Sequence, residues 1–140
     1  MSVLKPLRVN ERGAATIEFA IALPVLLVMI YGIFQVGLLF QANAGMQHAL
    51  GEGARLATLC TPSGTTCNTA SDSQIIARMS DKVFGMNIGS FGTPTVTTPA
   101  STACIRCKDL SVSYTVTPNF LFFNGPPITL TRSKRVYQAY

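Results

Sequence analysis

The chain has 140 residues, enough for one modest domain beside a long helix. Its 48% hydrophobic content is inflated by a single apolar run, so the remainder is of ordinary composition. The net charge of +5 falls to +3 without residues 1–13, where Lys5, Arg8 and Arg12 oppose Glu11 alone, so the basicity does not argue for nucleic-acid binding.

Residues 1–12 read as a short unstructured leader. Behind them, residues 19–40 contain Gln35 as their only strongly polar side chain. A helix over these 22 residues would be about 33 Å long at about 1.5 Å per residue. A bilayer's hydrocarbon core is roughly 30 Å thick, so the run can span it. Glu18 stands at the leading edge of the run, where an unpaired carboxylate is costly and therefore suggests a function. Pro24 and Gly32 are tolerable in a membrane helix and are expected to bend it locally. The bases precede the span, while Glu52 and Arg55 cancel beyond it. The positive-inside rule then keeps the N-terminus cytoplasmic and sends the rest across. The pattern Met46, Ala49, Leu50, Ala54, Ala57 carries the helix on to about Leu59. Gly37, Ala42, Gly45, Ala49, Gly53 and Ala57 recur at spacings of three to five, which permits close approach by a neighbouring subunit, by the chain's own domain, or by both. His48 reads as a lone surface residue.

Arg12-Gly13-Ala14-Ala15, Glu18-Phe19, Leu23-Pro24 and Gly51-Glu52-Gly53-Ala54-Arg55 occur together here. This combination resembles the N-terminus of type IV pilins and pseudopilins, and more narrowly the TadE-like family of tight-adherence pilus assembly proteins. The resemblance covers residues 12–59 and nothing beyond. It implies that a membrane-embedded prepilin peptidase cuts after Gly13, making Ala14 the new N-terminus. Glu18, followed by Phe19, would then pair with the terminal amine of a neighbouring subunit. The implied partners are the peptidase, other pilin or pseudopilin subunits, membrane lipid and an inner-membrane assembly platform. The implied place is a bacterial inner membrane, crossed once, or a pilus. The extra domain argues for a minor subunit, since the major pilin of such systems is much shorter. Two rivals stand beside this reading. One is an ordinary uncleaved signal anchor. The other is a secretory signal cleaved near Ala42-Asn43-Ala44, for which the apolar run is too long.

Cys60, Cys67, Cys104 and Cys107 all lie beyond the span, and an even count on the translocated side implies disulfides. Three pairings are open. The expectation is two local loops, Cys60–Cys67 and Cys104–Cys107, which would help a marginal core of about 80 residues. The first spacing is wider than the usual zinc knuckle. A redox role for Cys104 and Cys107 would need a helix to open there, and a strand pattern follows instead.

Residues 61–70 are rich in Pro, Gly, Ser, Thr and Asn and read as a loop. Ser71 and Gln74 form a capping box for a helix over residues 72–84, with Ile75, Ile76, Met79 and Val83 on its core face and Gly85 as its stop. A strand is expected at residues 93–98. Residues 108–117 alternate, with Leu110, Val112, Tyr114 and Val116 on one face, and residues 128–137 alternate again as an antiparallel partner. Arg132, Lys134 and Arg135 would guard an edge or meet an anionic partner. Residues 120–123 read as a core plug, or, if exposed, as an interaction patch.

No catalytic set, cofactor motif or metal site emerges, so the chain reads as a non-enzyme. The expected architecture is α+β: a leader at 1–13, a transmembrane and extended helix at 14–59, and a small disulfide-bonded extracytoplasmic domain at 60–140. The expected function is that of a minor pilin or pseudopilin. The alternative is an uncleaved, membrane-anchored envelope binding domain.

Overall fold

The computed structural model describes residues 11–138 apart from 64–65, 86–87, 100–103, 105 and 121, with the side chains of 11–12 and 61–67 also left aside. The expected unstructured leader thus falls almost wholly outside the described residues. Helix α1 (Glu11–Thr58) runs unbroken through Pro24 and Gly32 for 48 residues, about 72 Å. Only its second half carries fully buried residues. Leu38, Ala42, Met46, Ala49, Leu50, Ala54 and Ala57 are buried along one stripe, at the spacing of a helix face.

A short hairpin, β1 (Cys60–Ser63) and β2 (Thr66–Thr69), follows α1 directly. The loop expected here is therefore a two-stranded ribbon. Composition misled because Pro62 is tolerable in an edge strand.

Helix α2 (Asp72–Lys82) begins on the capping box read from the sequence. Ser71 Oγ accepts from the Gln74 backbone, and Gln74 Oε1 accepts from the Ser71 N–H at 3.0 Å. Ile75 and Met79 are fully buried against α1, with Ile76 and Val83 beside them. The helix ends at Val83 in extended conformation, not at Gly85. Gly85 serves packing: a Cβ there would lie 3.0 Å from the Phe91 ring and 3.6 Å from Ala42 Cα.

The sheet is built on β5 (Cys107–Val116). On one side it pairs with β3 (Gly89–Phe91) and β4 (Thr95–Thr97), and on the other with β6 (Ile128–Tyr137), all antiparallel. Leu110, Val112, Tyr114 and Val116 face the helices and are buried, as their alternation predicts. The opposite face carries Ser111, Ser113, Thr115, Thr129, Thr131 and Ser133 in cross-strand register. Thr95 and Ser111 hydroxyls meet at 2.7 Å there, and Thr115 and Thr129 at 3.1 Å. Both helices pack on one face, leaving the other polar and open.

Tyr114 sits at the centre of the core with 0% exposure, its ring tilted on Phe91 at 4.7 Å. Its hydroxyl finds no hydrogen-bond partner among the described residues, and burial pushes the phenol's pKa up. Tyr114→Phe should therefore hold stability or raise it by up to about 1 kcal/mol in urea unfolding, because an unsatisfied buried hydroxyl stabilises nothing. A loss above about 2 kcal/mol would show that the hydroxyl has a partner.

Candidate assembly site

Residues 13–27 of α1 are exposed throughout. The large apolar side chains recorded as exposed from Ile17 to Phe40 run from 41% to 71%, values that leave them needing lipid or another protein. The helix is long and apolar enough to cross a membrane. It is an arm, and the domain is attached to its far half.

Gly13 and Ala14 lie near Glu11, the first described residue of α1. A Cβ at Gly13 would meet nothing within 4 Å, so the bond after it is sterically open. Glu18 and Phe19 follow one turn later, both exposed. No cation among the described residues forms a salt bridge with Glu18. The arm therefore presents one unpaired carboxylate at the head of an apolar surface, which a cationic group of another molecule can satisfy.

The small-residue stripe has a different occupant. A methyl at Gly45 would overlap the Phe84 carbonyl oxygen, and one at Gly53 would lie 2.8 Å from Met79 Sδ. Ala42, Ala49 and Ala57 are buried in the same core. These residues let α2 and the segment after it cross close to α1, so that face is filled by the chain's own domain. Gly37 and Gly51 remain open.

Polar contacts fasten the domain along the helix. Arg78 reaches Glu52 at 2.8 Å, joining α2 to α1 and holding the Glu52 carboxyl below its usual pKa. Lys108 pairs with Asp72 at the start of α2. Arg132 Nε donates to Asn43 Oδ1 at 2.7 Å, tying edge strand β6 to α1. Arg135 grips Asp109 through both carboxylate oxygens at 2.7 and 2.8 Å on the outer sheet face, lowering the Asp109 pKa and raising its own. Two of the three bases in β6 are thus already engaged, which weakens the case for an anionic partner. His48 is not alone, because Nδ1 lies 3.3 Å from the Lys82 carbonyl oxygen and the ring sits edge-on to Phe84.

Cys104 and Cys107 are bonded to each other, and Cys60 is disulfide-bonded as well. The Cys67 side chain, the partner expected for Cys60, lies outside the described residues. Among the described residues no group of three or more His, Cys, Asp or Glu could hold a metal ion.

The core-plug expectation is overturned at Phe122 and Phe123, while Phe120 is half-buried and residue 121 lies outside the described residues. Phe122 is 79% exposed and Phe123 64%. Adjacent Asn119 accepts a hydrogen bond at 3.1 Å from Gln35 Nε2, the polar residue within the apolar run. The sequence marked Gln35 as an exception there but could not show what it holds.

Residues 13–55 match the family model described as TadE-like protein. The match lies wholly within α1 and leaves α2 and the sheet outside it. No curated protein and no solved structure gives a significant match.

Proposed function

From the match of residues 13–55 to the TadE-like family model, we propose that this chain is a minor pilin or pseudopilin taking part in the assembly of a tight-adherence pilus. The observation that carries the reading is the unpaired Glu18 at the head of an exposed apolar arm. Prepilin peptidase cuts after Gly13 and frees the amine of Ala14. The mature arm stays in the inner membrane until it packs against other subunits, where Glu18 meets a neighbour's amine. Ammonium and carboxylate attract strongly in apolar surroundings, while either alone is penalised.

The domain lies on the extracytoplasmic side, where a disulfide such as Cys104–Cys107 persists. The partners are the peptidase, other pilin subunits and the membrane assembly platform. The role is structural, and the chain acts as an enzyme's substrate.

The deciding measurement is the N-terminal residue of the protein recovered from native membranes. A chain starting at Ala14 supports the reading. One starting at Met1 or Ser2, in cells with active peptidase, sinks it and leaves an uncleaved anchored domain.

A further inference from the structure

We propose that the β5–β6 loop, through Phe122 and Phe123, is a second membrane contact, seated in the outer lipid interface beside the point where α1 leaves the bilayer. The proposal rests on the reading of α1 as a membrane anchor.

Three observations place the loop there. First, height: Gln35 lies in the outer part of the apolar run 19–40, about 24 Å along the helix from Phe19 and about 8 Å short of Phe40, against a hydrocarbon core of roughly 30 Å. The Gln35–Asn119 hydrogen bond fixes the loop at that level. The partial cover of this helix face continues below Gln35, where Gly32, Tyr31 and Val28 are half-buried.

Second, surface: Phe122 and Phe123 are among the most exposed large apolar residues of the domain, and they lie at its membrane-proximal end. Phe123 stacks on Phe120 at 5.2 Å, and Phe120 rests near Gly125, so the aromatic cluster is supported from within.

Third, backbone: a loop entering lipid must satisfy its own polar groups. Here the Phe120 N–H donates to the Phe123 carbonyl at 2.8 Å and the Gly125 N–H to that of Pro118 at 2.7 Å, while the Phe122 N–H donates to the Phe120 carbonyl. Asn119 spends its carbonyl on Gln35. Pro118, Pro126 and Pro127 contribute no N–H at all.

The chain contains no tryptophan, so a single introduced indole is a clean reporter. Phe122→Trp, Leu26→Trp and Tyr137→Trp variants of the full chain would be reconstituted in phosphatidylcholine vesicles with or without brominated acyl chains. Leu26 lies in mid-span, and Tyr137 at the far end of β6. The expected result is blue-shifted emission and loss of most intensity in bromolipid for Phe122→Trp and Leu26→Trp, with Tyr137→Trp unchanged. If Leu26→Trp is quenched but Phe122→Trp is not, the anchor stands and the loop proposal falls. Protection of that unquenched indole from iodide would then identify a protein contact in place of lipid. Equal quenching of Tyr137→Trp would also overturn the proposal, because the domain would be lying on the bilayer as a whole. An unquenched Leu26→Trp would overturn anchor and loop together.

Discussion

Glu18→Ala is expected to leave cleavage after Gly13 intact and to abolish incorporation of the mature chain into the assembled structure. Peptidase recognition on this reading concerns the leader and the open backbone at Gly13, and the carboxylate enters only when two arms meet. Breaking a buried ion pair by removing one partner costs about 3–5 kcal/mol, because the other charge is left uncompensated. At about 1.4 kcal/mol per factor of ten, each subunit contact weakens by roughly a hundred- to a few thousand-fold. Immunoblots would follow the shift from precursor to mature chain, and sheared surface fractions would report assembly. Normal assembly by the processed variant removes the proposed role of Glu18. Glu18→Asp should restore little, since a shorter side chain on the same helix position does not reach the same amine.

Gly45→Ala is expected to destabilise the fold by about 1–3 kcal/mol, the usual cost of overpacking a filled core. The sign is unusual for a helix interior, where alanine exceeds glycine in propensity by about 1 kcal/mol. At Gly45 the new methyl runs into backbone, the Phe84 carbonyl, which cannot rotate aside as a side chain could. Gly51 provides the internal control, because a Cβ there meets nothing within 4 Å. Gly51→Ala should accordingly stabilise by about 0.5–1 kcal/mol. Thermal unfolding of the full chain in detergent would compare the two. Shifts of the same sign would mean that α2 and its following segment do not hold their close crossing over α1.

What the sequence made legible was whatever local rules decide. Ser71 and Gln74 announced α2 because a capping box is a contact between residues three apart. The alternation of Leu110, Val112, Tyr114 and Val116 announced β5, since a half-buried strand shows its two faces directly. Strand β6 matched its expected limits, and β4 came out at Thr95–Thr97 inside the longer stretch foreseen. Strand β3 was invisible because three residues beginning with Gly89 carry no period, and their pairing with β5 is made across more than 20 residues. The stripe of small residues was visible as a stripe, but spacing cannot say which partner fills it. Phe122 and Phe123 were misjudged for the same reason. Aromatic clusters signal burial only where a core is near, and the Asn119–Gln35 contact that puts this loop beside bare helix spans 84 residues. The motif around Gly13 and Glu18 was legible as chemistry, whereas its pairing partner belongs to another chain on the proposed reading.

The one-sided attachment of the sheet constrains any bundle of these helices. With Leu38, Ala42, Gly45, Ala49 and Gly53 covered by their own domain, the flank of α1 that stays bare runs through Gly37, Phe40, Ala44, Gln47 and Arg55. Helices in contact lie about 8–10 Å apart, so neighbours can approach only along that flank. The sheets are then turned outward, like bark around a stem. Their outermost layer would be the hydroxyl face of Ser111, Ser113, Thr115, Thr129, Thr131 and Ser133. Whatever touches such a fibre from outside would meet a layer dominated by serine and threonine hydroxyls, with the Asp109–Arg135 pair beside it.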